Sequence, residues 1–135
     1  MESVIAVIWV VLGISFIIFI HELGHFLACR VFGIRVKRFY LGFAPKIRVG
    51  KKVIPLKIFS IRRGGTEYGV GLVLFGGFVD VEGQDPTKPR KGAPWEFLSK
   101  KPWQRAVVLV AGSAMNAVSA FLFFAVAFSI GVRLT

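Results

Sequence analysis

The sequence predicts an α-helical polytopic membrane protein, in which two transmembrane helices are joined by a basic loop containing a membrane-re-entrant β hairpin. Three observations predict it. Val4 to Ile20 and Ala106 to Val132 carry no charged residue, within a chain that is 55% hydrophobic with a mean hydropathy of +0.67. Seventeen of the eighteen Lys and Arg lie between those runs, from Arg30 to Arg105; the other is Arg133. Within the connecting segment, apolar residues alternate with glycine at period two, a strand signal.

The first helix is expected over about residues 4–29. Roughly 20 helical residues cross a hydrocarbon core about 30 Å thick. The first apolar run reaches that length only by continuing through "HELGHFLA". A cleaved signal peptide is disfavoured, since Glu2 is the only early charge and no small-x-small site follows the apolar run. Gly13, Ile17, Ile20 and Gly24 share a face that would let another helix approach closely.

Residues 30–105 form the loop. Its basic excess places it in the cytoplasm and both termini outside, by the positive-inside rule. The same distribution assigns the net charge of +11 to topology and contact with the lipid bilayer rather than to nucleic acid. A β segment is expected at about 46–82. "KIRVGKKVIPLKIF" reads as short strands around a turn at Gly50, with Pro55 at an edge. "RRGG" marks a second turn. Tyr68 to Phe75 then reads as one strand, with Gly76-Gly77 as the break after it. This stretch is too apolar for a free loop and too short and glycine-rich for a span, so it is expected to dip into the membrane shielded by protein.

The Pro-, Gly- and Lys-rich stretch from Glu82 to Arg105 is expected on the membrane surface, with Trp95 and Trp103 in the head-group belt. The second helix is expected over residues 106–132, with small residues in its first half and Asn116 at hydrocarbon depth. The single cysteine, Cys29, permits no internal disulfide.

The chemistry resides in "FIHELGHFLA". Residues four apart on a helix lie on one face, so His21 and His25 can direct both rings at one ion. Glu22 stands beside them, where it reaches a metal-bound water rather than the metal. His-Glu-x-x-His is the spacing of a zinc hydrolase, with two imidazole ligands and a carboxylate base. Short motifs of this kind also arise by chance. Here, however, both of the chain's histidines fall in the motif, inside an apolar span where an ionisable group costs at least ~2.5 kcal/mol near the centre.

Three stretches together resemble the site-2 protease family of intramembrane zinc metalloproteases, in its bacterial form: "HELGHFLACRVFGIRVKRFYLGFAPKI", "GGTEYGVGLVLFGGFVDVEGQDP" and "KKPWQRAVVLVAGSAMNAVSAFLFF". The resemblance covers nearly the whole chain. It implies Zn2+ bound by His21 and His25, Glu22 as general base, and Asn116 in contact with the substrate backbone. It implies a membrane-protein substrate cut within a single-span transmembrane segment, a location in the bacterial inner membrane, and substrate contact along the Tyr68–Phe75 strand. The family's third zinc ligand is an Asp on a later helix, which this sequence does not contain. Asp80, Glu82 and Asp85 offer no reason to replace it, and Ser113 stands where many relatives have Pro. The 135 residues are therefore expected to be the N-terminal half of a protease domain, inactive alone. The alternative is a non-catalytic membrane fragment or degenerate relative that binds partner helices through Gly13, Gly24 and the Ala111–Ala120 face. A metal carrier or channel is weaker, since Val4 to Ile20 offers only Ser15 as a polar path.

Overall fold

The computed structural model describes residues 1–132. Helix α1 spans Glu2–Val31 and helix α2 spans Pro102–Ile130. Pro102 sits at the start of α2, where its missing N–H costs nothing, and Lys101 N donates to Gln104 Oε1 at 3.1 Å. Gly131, with a φ of 80°, takes the left-handed turn that ends the helix. Both helices are long and apolar enough to cross a membrane. In their most apolar windows only 6% and 11% of the residues are buried. Neither is buried as a core helix is: Trp9, Phe121, Phe124 and Phe128 stand open on their outer faces.

Between the helices the chain departs from the expected helical fold with one β hairpin. Six strands form: β1 (Val36–Phe43), β2 (Lys46–Val49), β3 (Lys52–Pro55), β4 (Lys57–Arg63), β5 (Thr66–Gly71) and β6 (Val73–Val81). Four make a mixed sheet in the order β4-β5-β1-β6, and β2-β3 make a separate two-stranded ribbon. The fold is two helices with a sheet, not a helical bundle.

The physical reason is non-local pairing. β1 and β5 run parallel, Phe39 opposite Tyr68 and Leu41 opposite Val70, and parallel neighbours require a long connection that no local turn reveals. The turns expected at Gly50 and at Gly64-Gly65 do form. The single strand expected from Tyr68 to Phe75 instead divides at Leu72 between β5 and β6. Gly76-Gly77, expected as a break, lies inside β6. A Cβ on Gly76 would stand 2.5 Å from the Phe43 ring, and one on Gly77 would stand 2.8 Å from Tyr40 O. These glycines thus mark close backbone approach rather than a chain reversal.

The core lies where α1, the sheet and the start of α2 meet: Phe26, Cys29, Ile34, Val36, Phe39, Val81, Phe97 and Val108. Phe26 and Phe39 bring their ring centroids to 5.0 Å. Backbone bonds from Arg35 N to Trp95 O and from Phe97 N to Glu82 O, both 2.9 Å, tie the linker to this end of the sheet. At the opposite end Ser15 Oγ donates to Leu74 O, so the sheet lies along α1 from its C-terminus to its middle. Gly24 faces the Ala111 backbone and Met115 Cβ, which brings α1 and α2 into close contact.

Candidate metal centre

His21 and His25 stand one turn apart on α1, their Nε2 atoms 3.1 Å from each other and their rings inclined at 81°. Two nitrogens bound at about 2.0–2.1 Å to one tetrahedral ion lie roughly 3.3 Å apart, so the separation suits shared ligation. His25 Nδ1 lies 2.7 Å from Val108 O on α2. A carbonyl oxygen can only accept, so Nδ1 carries the hydrogen and Nε2 keeps its lone pair for a ligand. On the His21 ring, Nδ1 faces Asn116 Nδ2 at 3.4 Å. Helix α2 thus meets the Nδ1 atoms of both imidazoles.

Gly112 makes that approach possible. A Cβ there would lie 2.6 Å from His25 Nε2 and 2.7 Å from His21 Nε2. Absence of a side chain on α2 leaves the space that the two Nε2 atoms face. The donor chemistry and this cradle both fit a metal ion.

Among the described residues, His21, Glu22 and His25 are the one group of three metal-capable side chains whose ligand atoms lie within 4.8 Å of one another. All three are half-buried. Beside them runs β6: Gly77, paired with Leu41 of β1, comes so close that a Cβ on it would lie 3.8 Å from Glu22 Cγ. β6 is an end strand of its sheet, so one of its edges is left without a partner strand among the described residues. Of the Tyr68–Phe75 strand expected to contact substrate, the Tyr68–Gly71 part has no free edge, because β5 lies between β4 and β1.

The remaining acidic candidates are engaged elsewhere. Asp80 pairs with Arg38 at 2.9 Å, Glu82 approaches Arg35 at 3.8 Å, and Asp85 accepts from Thr87. The structure therefore brings Asn116 to the motif, together with three groups the sequence reading passed over: the Val108 carbonyl, Gly112 and Gly77. A signal for Gly112 was present. It precedes Asn116 by four residues and so shares its helix face.

Residues 9–134 match peptidase family M50. The chain belongs to that family. Among M50-like relatives, a Chlamydia pneumoniae protein provisionally named a zinc metalloprotease is 35% identical over 140 residues, covering 97% of this chain and 21% of its own length. Zinc metalloprotease Rip1 of Mycolicibacterium smegmatis is 33% identical over 117 residues, covering 84% of this chain and 27% of its own. The chain thus spans between a fifth and a third of the length of these two relatives. The M50 match, the site-2 protease family, agrees with the resemblance carried by the three sequence stretches.

Proposed function

We propose that the chain supplies the zinc-binding helix and the substrate-facing sheet of an intramembrane metalloendopeptidase in the bacterial inner membrane. The observation that carries this reading is the Nε2 pair at 3.1 Å facing the side-chain-free Gly112 inside an apolar helix pair. His21 and His25 hold Zn2+; both relatives are named zinc metalloproteases, one of them provisionally. A third ligand is drawn from outside these 135 residues, because Asp80, Glu82 and Asp85 are engaged elsewhere. Zinc there supplies an acidified water at neutral pH.

The chain's own residues do the rest. Val108 O fixes the His25 ring, and Asn116, with its amide turned to present Oδ1 to the Nδ1–H of a metal-bound His21, steadies that ring while remaining near enough to meet a substrate backbone. Glu22 takes the proton from the attacking water and returns it to the leaving amine. A transmembrane substrate hides its peptide bonds in helical hydrogen bonds. Pairing an unwound stretch with the outer edge of β6 exposes them beside Glu22. Arg30 and the Lys-rich linker from Lys88 to Arg105 lie on the cytoplasmic side, in keeping with their charge. The helix-binding alternative is weakened because Gly24 and Ala111 already face each other within the chain.

The test is cleavage of a single-span membrane protein by the full-length protease in proteoliposomes. Glu22→Gln is expected to lower turnover by roughly 10²–10⁴-fold with the fold intact. Unchanged cleavage by that variant would remove the proposal.

A further inference from the structure

The β2-β3 ribbon plays no part in the site described above. It connects the end of β1 to the start of β4, and Leu56 N closes its neck on Pro45 O at 2.9 Å. Its turn is Gly50-Lys51, with Gly50 at a φ of 62°. Every residue of both strands is exposed. The register, Ile47 opposite Ile54 and Val49 opposite Lys52, places Ile47, Val49 and Ile54 on one face with Lys52 at its turn end, and Lys46, Arg48, Val53 and Pro55 on the other. No acidic residue occurs between Leu23 and Thr66, and among the described residues the ribbon's four cations form no ion pair.

The ribbon's place in the fold gives this pattern its meaning. It leaves the sheet at the end anchored by Ser15 and Leu74, since Leu72 N bonds to Leu56 O at 3.0 Å. Ser15 lies fifteen residues, about 22 Å, from Arg30, and thirteen residues, about 20 Å, from Glu2. The connection therefore begins near mid-membrane, away from the face that holds Arg30 and the Lys-rich linker. Four basic side chains cannot end in hydrocarbon. A four-residue strand adds about 13 Å, and long basic side chains extend further by snorkelling. That is enough to bring Lys51 and Lys52 to the membrane face of the α1 N-terminus.

We infer that the β2-β3 ribbon crosses to that opposite face and docks there on anionic phospholipid head groups. Arg48, Lys51 and Lys52 meet phosphates, while Ile47, Val49 and Ile54 sit among the upper acyl chains. This rests on the membrane-spanning reading of α1 and α2. The sheet is then held at both faces, by the linker on one and the ribbon on the other.

Single-cysteine labelling in a Cys29→Ser background tests it, using the full chain in sealed vesicles and a membrane-impermeant maleimide. Ser3→Cys and Lys88→Cys report the two faces. Lys51→Cys is expected to label from the Ser3 side. Labelling from the Lys88 side overturns the inference alone; labelling of Ser3→Cys and Lys88→Cys from one side overturns the spanning reading with it. A polarity-sensitive fluorophore on Val49→Cys is expected to shift to the blue in vesicles containing phosphatidylglycerol but not in pure phosphatidylcholine. Arg48→Ser with Lys52→Ser should abolish the shift. Equal emission in both vesicles, as docking to protein or to a second copy would give, overturns the head-group assignment.

Discussion

His25 Nδ1 lies 2.7 Å from the Val108 carbonyl oxygen, a bond that joins α1 to α2 across 83 residues of sequence. It holds the ring of one proposed ligand by the backbone of the other helix, so side-chain substitution at Val108 cannot remove it. The candidate metal centre and the helix interface are therefore one construction, and changes to either should be felt in the other.

Gly112→Ala tests the cradle. The new methyl would stand 2.6 and 2.7 Å from the two Nε2 atoms, while alanine favours a helix over glycine by about 1 kcal/mol. Helix content by circular dichroism is expected to hold or rise, and zinc affinity by chelator competition to fall at least tenfold. Loss of helix along with metal would instead mark Gly112 as a packing residue.

Asn116→Ala removes the group that faces His21 Nδ1 at 3.4 Å. Partners behind a metal-binding histidine are typically worth roughly 10–100-fold in affinity. Zinc binding is expected to weaken within that range. Since the chain has only two histidines, the side-chain ¹⁵N spectrum contains two imidazoles. His21 is expected to change its tautomer balance and His25, held by Val108, to keep its own.

Gly24→Leu probes the helix contact without touching a proposed ligand. The side chain would enter the Ala111 backbone, and overpacking costs typically 1–3 kcal/mol. A lowered unfolding midpoint in detergent is expected. An unchanged midpoint would show that the two helices are held mainly by the sheet.

Much of this was legible in the sequence, for reasons of physical range. The helices announce themselves as unbroken apolar runs, and the juxtaposition of His21 with His25 because a four-residue spacing is a property of one helix turn. The Gly50 turn is equally local. What escaped is whatever depends on partners distant in sequence: β1 beside β5, Gly77 against Tyr40 and Glu22, and Val108 behind His25. Glycine was the ambiguous letter. At Gly50 it permits a turn, at Gly77 it admits a neighbouring strand, and at Gly112 it admits two imidazoles; only the fold tells these apart.

The sheet carries its own pH dependence, away from the helices. Tyr40 Oη donates to Glu67 Oε1 at 2.7 Å, and Lys57 Nζ reaches the same oxygen at 3.2 Å. The phenol's hydrogen bond, followed by that of the Lys57 ammonium and its charge, outweighs burial and holds the Glu67 carboxyl below its ordinary value of 4.5. A depressed carboxylate pKa means that the unfolded chain binds the proton more readily. The network's contribution is therefore complete above about pH 4.5 and declines as pH falls through the lower folded value. Tyr40→Phe deletes the largest contributor and keeps the ring on Phe78. Hydrogen bonds to charged groups are worth roughly 1.5–3 kcal/mol, and Glu67 is only partly exposed. A stability deficit of about 1 kcal/mol is expected for Tyr40→Phe at pH 7, measured by denaturant unfolding in micelles, shrinking toward zero in acid. A deficit independent of pH would place the loss in the packing of the phenol rather than in its bond to Glu67.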